Sequence, residues 1–267
     1  MLLVDLGNRS PQKTRALIAR MVFYAQEGHI PSAYSIVEIL DVLYEDFLNL
    51  SPQNIHDPGR NIFVLSKGHA GAALYAVLAN RGFVDEKDLL NYCKAGSSFG
   101  GHPDRTKVPG IEVSSGSLGH GIAIAVGMAY AKKLKNLPGK VVVLVGDGEM
   151  EEGSFWESLM LAKDLNLSNI VVIADANQSQ VKYSHAHRFA DVLASMEWQT
   201  SKVDGHDIPA LQQCFTRAFE SHSPCFILAE TTKGFGVDRF VAKGDNAWHR
   251  RTPTFEELEE ILKELEV

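Results

Sequence analysis

Cysteine is scarce in this sequence of 267 residues: only Cys93, Cys214 and Cys225 occur, and no two of them form a CxxC pair. So few thiols, in odd number, argue against a disulfide framework and imply reduced cysteines. No apolar run approaches the roughly 18 residues of a membrane-spanning helix. The opening residues, MLLVDLGNRSPQK, also lack a basic stretch followed by a long apolar one. A cytoplasmic protein without a membrane anchor is the expectation. Positive charge is in deficit too, with 26 Lys and Arg against 33 Asp and Glu, a formal net charge of -7. That balance points away from nucleic acid and anionic membranes as partners. Internal repeats, low-complexity tracts and any obvious domain boundary are absent.

Present in quantity are the materials of an ordinary globular core, 45% apolar and 22% charged residues, in a chain long enough to bury a large interior. Ser10-Pro11 reads as an N-cap followed by proline at the first helical position, so a helix is predicted through about Gln26, ending at Gly28. SIVEILDVLYEDFL carries Ile36, Ile39, Leu40, Val42 and Leu43 at helical spacing. NIFVLS reads as a short buried strand, and the small apolar segment from Gly68 to about Leu78 as a helix packed tightly on a sheet. Residues 92–121, rich in Gly, Ser, His and Pro, read as an ordered functional loop. The helix GIAIAVGMAYAKKL follows. The remainder alternates: strand 140–145, helix 153–165, strand 169–174, a helix to about Met196, a weaker strand near Thr200, a helix over 208–221 and the strand CFILAE. This alternation predicts an α/β fold of three layers, a mostly parallel sheet with helices on both faces, as a single domain over residues 1–267. Thr254 and Glu257 make a capping-box pattern at the head of TFEELEEILKELE, read as a solvated terminal helix.

The stretch KVVVLVGDGEMEEG, Lys140 to Gly153, sets the chemical problem. A β-branched strand ending in a glycine turn is how a parallel α/β sheet presents a phosphate to the next helix. Yet Asp147 lies between Gly146 and Gly148, and Glu149, Glu151 and Glu152 follow. A dinucleotide fingerprint, GxGxxG, does not fit, because Gly153 comes two residues late and an aspartate occupies the turn. A hard divalent cation removes the conflict, since Mg²⁺ takes carboxylate and carbonyl oxygens on one side and diphosphate oxygens on the other. Asp147 is then one ligand. A second belongs at the tip of a neighbouring strand, where NIVVIAD runs on to Asn177, with twenty-eight residues between it and Gly148. Asn177 offers an amide oxygen, and Ser179 a backbone carbonyl to complete the protein's share. A solvated turn with incidental acids is the plainer alternative at this point.

GDGEMEEGSFWESLMLAKDLNLSNIVVIADAN resembles the thiamine diphosphate motif, GDG with a distant Asn, in the form carried by transketolases. Further stretches match the family's amino-terminal half in order: GH at 28–29, FVLSKGHA at 63–70, GGHPD at 100–104, VSSGSLGHGIAIAVGMA at 113–129, TTKGFG at 231–236 and WH at 248–249. The resemblance covers nearly the whole chain and implies the diphosphate-holding (PP) domain of the thiamine diphosphate-binding fold. It implies thiamine diphosphate as cofactor, with Mg²⁺ or Ca²⁺ bridging its diphosphate to Asp147, Asn177 and the Ser179 carbonyl. It also implies a catalytic set of His29, His69, His102 and His249, clustered about the reacting carbon and the substrate C1 and C2 oxygens, with Glu152. The implied cofactor contacts are His69, Gly116, Ser117, Leu118, Gly146, Asp147, Gly148, Glu149, Asn177, Lys233 and His249. Glu152 and Glu157 match carboxylates that in transketolases lie at the subunit interface. His56, His185, His187, His206 and His222 match nothing catalytic and are read as ordinary surface or turn residues, and His120 stands where the family often has glutamine.

Thiamine chemistry needs one group that these motifs lack, a glutamate hydrogen-bonded to the aminopyrimidine ring. In the family it lies on a second, pyrimidine-binding domain, and this sequence ends at Val267 without one. The chain therefore resembles the amino-terminal subunit of a split transketolase. The expected partner is a carboxy-terminal subunit carrying the pyrimidine-binding domain and the catalytic glutamate, in an α2β2 heterotetramer with cofactor sites at the interfaces. The implied reaction is covalent catalysis by the cofactor, transferring a two-carbon ketol unit from a ketose (phosphate) donor to an aldose acceptor. His29, His69 and His249 would steady substrate oxygens and move their protons, and His102 would hold the donor C1 hydroxyl. GHIPSAYS, in place of the family's common Gly-His-Pro-Gly, and the short loop QSQVKYSHAHRF flank the mouth of the site and leave the particular sugar open. Two rival readings remain: the α subunit of a 2-oxo acid dehydrogenase or acyloin-type enzyme, against which the histidines at 69, 102 and 249 argue, and a non-catalytic binding module, against which all four histidines argue.

Overall fold

The computed structural model describes residues 10–177, 186–241 and 248–267. Helix α1 (Pro11–Ala25) begins where the sequence predicts, with the Ser10 side chain accepting from the Lys13 amide and proline in the first turn. It closes at Gln26, whose φ of 54° ends the helix in the left-handed conformation. The helix predicted over SIVEILDVLYEDFL is present, ending in a π-helical turn, and a short helix that the sequence reading did not include precedes it. Helix α2 (Ile30–Tyr34) stops at Ser35, α3 (Val37–Val42) starts after Ile36, and a π-helical turn, Leu43–Phe47, follows. Ser35 supplies a reason for the break: its hydroxyl donates to Asp175 in the sheet at 2.8 Å, a tertiary bond that competes with a continuous helix.

Among the described residues five strands, β1 (Ile62–Leu65), β2 (Val141–Gly146), β3 (Ile170–Ala176), β4 (Gln199–Asp204) and β5 (Cys225–Glu230), make one sheet in the order β1-β2-β3-β5-β4. Every neighbouring pair is parallel. Between and after the strands run α4 (Gly71–Asn80), α5 (His120–Leu134), α6 (Gly153–Asp164), α7 (Ala186–Ser195), α8 (Ile208–Glu220) and α9 (Phe255–Glu264).

Period-two alternation divides the strand side chains between two cores. Phe63, Leu65, Val142, Leu144, Val171, Ile173 and Ile227 face a cluster built with α1, α3, α4, α8 and α9. Val64, Val141, Val143, Val145, Ile170, Val172 and Leu228 face a second, built with α5, α6 and α7. Three layers result, and β2 and β3 are buried along their whole length, as sheets covered on both faces require. The capping box of α9 forms as predicted, but that helix is solvated on one side only: Leu258 and Ile261 are buried in the core that α1 shares.

Parallel pairing brings all the strand tips to one edge. β1 runs out into Lys67, β2 into Asp147, β3 into Asn177 and β5 into Thr231, and the register pairs Gly146 with Asp175 and Ala176 with Glu230. Ligands of open α/β sheets bind at this edge.

Candidate active site

Two consecutive residues at the tip of β1 reach opposite neighbours. Ser66 donates its hydroxyl to Glu149, while the Lys67 ammonium donates to Asp175 and, at 3.1 Å, to the Ser32 carbonyl. Asp175 further accepts from Ser35 Oγ at 2.8 Å, from Asn177 Nδ2 at 2.7 Å and from the Thr231 hydroxyl. A lone carboxylate with no solvent contact would be costly, and a cation with three neutral donors offsets that cost. Burial pushes the Asp175 pKa upward, but the Lys67 charge and the surrounding hydrogen bonds outweigh it and hold the group below the usual carboxylate range. Glu149, on the other side, accepts from the Gly119 amide at 2.8 Å and the Gly146 amide at 3.3 Å. Burial pushes its pKa up, against those bonds and the one from Ser66.

Asp147 and Asn177 stand on adjacent strand tips, both nearly buried, and the Asp147 amide donates to the Asp175 carbonyl at 3.2 Å. Around this edge three loops converge. A Cβ on Gly68 would stand 2.9 Å from the Gly116 nitrogen, and one on Gly116 would stand 3.3 Å from the His102 ring. Glycine at both places lets the 68–69 turn, the 115–119 loop and the His102 loop close together. The last of these is fixed by Tyr75, whose hydroxyl lies 3.0 Å from the Gly100 carbonyl and 2.9 Å from that of His102.

His29, at the head of α2, meets His69 edge to face with ring centroids 5.6 Å apart and His249 at 5.1 Å. His29, His69 and His102 line a cleft of about 530 Å³ whose rim carries Glu27, Lys94 and Arg250. Burial first, then His249, Arg250 and His102, lower the His29 pKa to about 4. Burial, then Lys67 and His29, lower that of His69 to about 3. His249 is lowered as well, by burial and then by Lys233 and Arg250. All three rings are therefore neutral at pH 7, each able to give and to accept a proton. Lys233 Nζ lies 3.2 Å from His249 Nδ1, so with Lys233 as an ammonium that nitrogen accepts and Nε2 carries the ring proton. Burial and Lys67 lower the Lys233 pKa, against Asp147 and Asp175.

The structure thus brings His29, His69, His102, His249, Lys233, Gly116, Asp147 and Asn177 to one end of the sheet, with Ser117 and Leu118 continuing the loop from Gly116. Ser179 and His185 lie outside the described residues. Glu152 is the exposed residue heading α6, with Glu157 exposed one turn on, and neither lines the histidine cleft. Glu149, expected as a cofactor contact, has its carboxylate taken up by protein donors. His206, expected as a surface or turn residue, lies in the turn after β4, with its side chain 9% exposed. Its Nε2 accepts from the Thr232 amide at 2.8 Å, which leaves Nδ1 to donate to Glu38 at 3.1 Å. The ring stacks on Phe235 at 3.6 Å, and Glu38 also pairs with Arg15 at 2.7 Å, so this network holds the 231–236 loop. Sequence reasoning missed Lys67, Asp175, Ser35 and Thr231. The available signal was a single acid inside the apolar strand IVVIADA.

Asp147 and Asn177 offer hard oxygen donors from neighbouring tips, and glycine backbones close around them, which suits a divalent cation shared with a diphosphate. Among the described residues no three His, Cys, Asp or Glu side chains form a metal cage by themselves. Acidic glycine turn, neighbouring amide and histidine cluster, all at the carboxyl edge of a parallel sheet, define a thiamine diphosphate-binding α/β domain. Residues 7–261 match the family described as transketolase, thiamine diphosphate binding domain. The chain is 34% identical over 260 residues to an apulose-4-phosphate transketolase subunit of Phocaeicola vulgatus, covering 95% of this chain and 92% of that protein. It is 33% identical over 247 residues to a 6-deoxy-6-sulfo-D-fructose transketolase subunit of a Clostridium species, covering 90% and 88%. The solved transketolase of Campylobacter jejuni superposes with a TM-score of 0.84 at 29% identity, over 99% of this chain and 43% of that one. The chain belongs to the transketolase family, as the amino-terminal, thiamine diphosphate-binding type of subunit found in split transketolases, enzymes that transfer ketol units. These relatives do not favour the 2-oxo acid dehydrogenase reading.

Proposed function

We propose that this chain holds the diphosphate half of the active site in a two-subunit transketolase, and that a ketose phosphate donates its ketol unit there to an aldose acceptor. The observation that carries the reading is the continuity of β1 with the site: Lys67 grips the β3 tip, and His69, two residues on, faces His29 in the cleft. Asp147 and Asn177, with the Ser179 carbonyl, hold Mg²⁺ or Ca²⁺, while Lys233 and the backbones of Gly116, Ser117 and Leu118 approach the diphosphate. When bound, thiamine diphosphate supplies the carbon nucleophile that opens the donor C2–C3 bond. His29, His69 and His249, neutral at pH 7, move protons at the substrate oxygens. His102, at the cleft wall, holds the donor C1 hydroxyl. The relatives are named for apulose 4-phosphate and 6-deoxy-6-sulfo-D-fructose, so ketoses bearing an anionic group are the class to screen first.

The same reading places the pyrimidine-binding domain and its glutamate on a partner chain, in an α2β2 heterotetramer. An apolar surface exposed among the described residues supports it. Along α5, Ile124, Tyr130 and Leu134 are 41%, 37% and 64% exposed, and on the adjacent α6 Met160 and Leu161 are 54% and 50% exposed beside Glu157. Contiguous exposed apolar surface of this kind marks interaction sites. A cytoplasmic setting belongs to the proposal as well, supported by three cysteines that are all free thiols.

The test is to recover the tagged chain from its host lysate with thiamine diphosphate and Mg²⁺, then assay the complex on a panel of ketose phosphates and aldoses. Ketol transfer by the complex and by neither chain alone is expected. A cofactor-loaded complex that releases CO₂ from pyruvate without ketol transfer, or does neither, would refute the proposal.

A further inference from the structure

The Asn177 amide has one end already committed. Its Nδ2 donates to Asp175 Oδ2 at 2.7 Å, and an ionised carboxylate only accepts, so turning the amide over would set two oxygens against each other. The amide oxygen is thereby directed away from Asp175. Asp175 cannot swing either, because it is gripped from four elements: Lys67 beyond β1, Ser35 at the end of α2, Thr231 beyond β5, and β3 itself. Lys67, Ser35 and Asp175 have no solvent exposure, and Thr231 and Asn177 have 4% and 6%.

Stability alone does not call for this arrangement. A buried ion pair is often replaceable by apolar side chains with no loss of stability, and β3 is otherwise an apolar strand in a fully covered sheet. We propose that Asp175 is a positioning residue for the cation site: through its bond to Nδ2 it fixes the Asn177 amide with the oxygen turned away from Asp175, so that this ligand is set before any ion arrives, and Lys67 holds the carboxylate in place. The inference rests on reading Asp147 and Asn177 as the cation ligands.

The experiment removes the pair as a pair. Full-length Lys67→Met/Asp175→Leu is compared with wild type by thermal melting without ligand and by calorimetric titration of Mg²⁺ with thiamine diphosphate present. The expected result is a retained fold with affinity weakened about tenfold or more, the usual cost of losing a group that orients a metal ligand. A retained fold with unchanged affinity would overturn the inference. Should the double variant fail to fold, Asn177→Asp gives an independent answer. It keeps an oxygen donor and adds a negative charge that a bare cation would welcome, but it sets two carboxylates face to face. Weaker binding supports positioning by Asp175, and equal or tighter binding overturns it. Asp147→Ala separates the two levels of argument. If it abolishes Mg²⁺-dependent binding while the other variants leave binding unchanged, the positioning role alone fails, and if it changes nothing, the ligand reading itself fails.

Discussion

Neutral imidazoles held in contact leave a signature in the pH dependence of stability. His29 and His69, lowered to about 4 and about 3, stay unprotonated in the fold at pH values where the unfolded chain, titrating near 6.5, has taken up protons. Between those limits the unfolded state binds more protons, so stability must fall as pH drops from 6.5 toward 4. Wild type is therefore expected to lose more melting temperature between about pH 7 and about pH 5 than His29→Asn/His69→Asn does; equal losses would remove the two histidines as the source. Lys67 makes a second prediction. Lys67→Met alone strands a buried carboxylate and is expected to cost about 3–5 kcal/mol in denaturant unfolding, whereas a loss below about 1 kcal/mol would mean that Asp175 finds another cation or takes up a proton. The histidines were legible in the sequence because each sits in a short motif that can be read in isolation. Lys67 with Asp175 was not, since the partners lie 108 positions apart, and neither was Glu38 with His206, 168 apart. Pairings across such distances are made by the sheet.

Strands and helices follow local pattern closely where burial on both faces imposes it. β2 and β3 read as near-continuous β-branched runs and proved so, and the α9 capping box formed at the predicted residues. The short helix α2 was not read from the sequence, and the bond from Ser35 to Asp175 that accompanies its end is made to another element. Loop packing was equally hidden, although the glycines that permit it were visible. A methyl group at Gly68 would meet the Gly116 and Ser115 backbones at 2.9 Å, where no side-chain rotation can relieve it. Gly68→Ala is thus expected to destabilise by about 1–3 kcal/mol and to weaken Mg²⁺-dependent thiamine diphosphate binding. Gly153→Ala, with nothing within 4 Å, should do neither. Equal melting curves and equal titrations for the two variants would show that the 68–69 turn has more room than the backbone contact allows.

The whole chain is built for company. Helix α5, HGIAIAVGMAYAKKL, is apolar nearly all round until its last turn, a pattern that belongs to helices covered on every side. In this chain one side is covered: Ile122, Ala125, Val126 and Ala129 are buried with the sheet. The opposite side, Ala123, Ile124, Gly127, Tyr130, Ala131 and Leu134, is exposed, and small residues four apart along it would let another backbone come close. The proposed heterotetramer supplies that cover. Gly127 allows a clean test, because a side chain built there meets nothing within 4 Å of the subunit's own atoms. Gly127→Glu should therefore keep or raise the subunit's melting temperature, since replacing a glycine inside a helix gains about 0.5–1 kcal/mol. The same carboxylate would be buried without a partner in a close-packed interface, a cost of several kcal/mol. Light scattering of the complex with its partner should accordingly show the wild-type assembly reduced in mass, with ketol transfer lost in parallel. A Gly127→Glu complex of unchanged mass and activity would show that the exposed face of α5 takes no part in assembly.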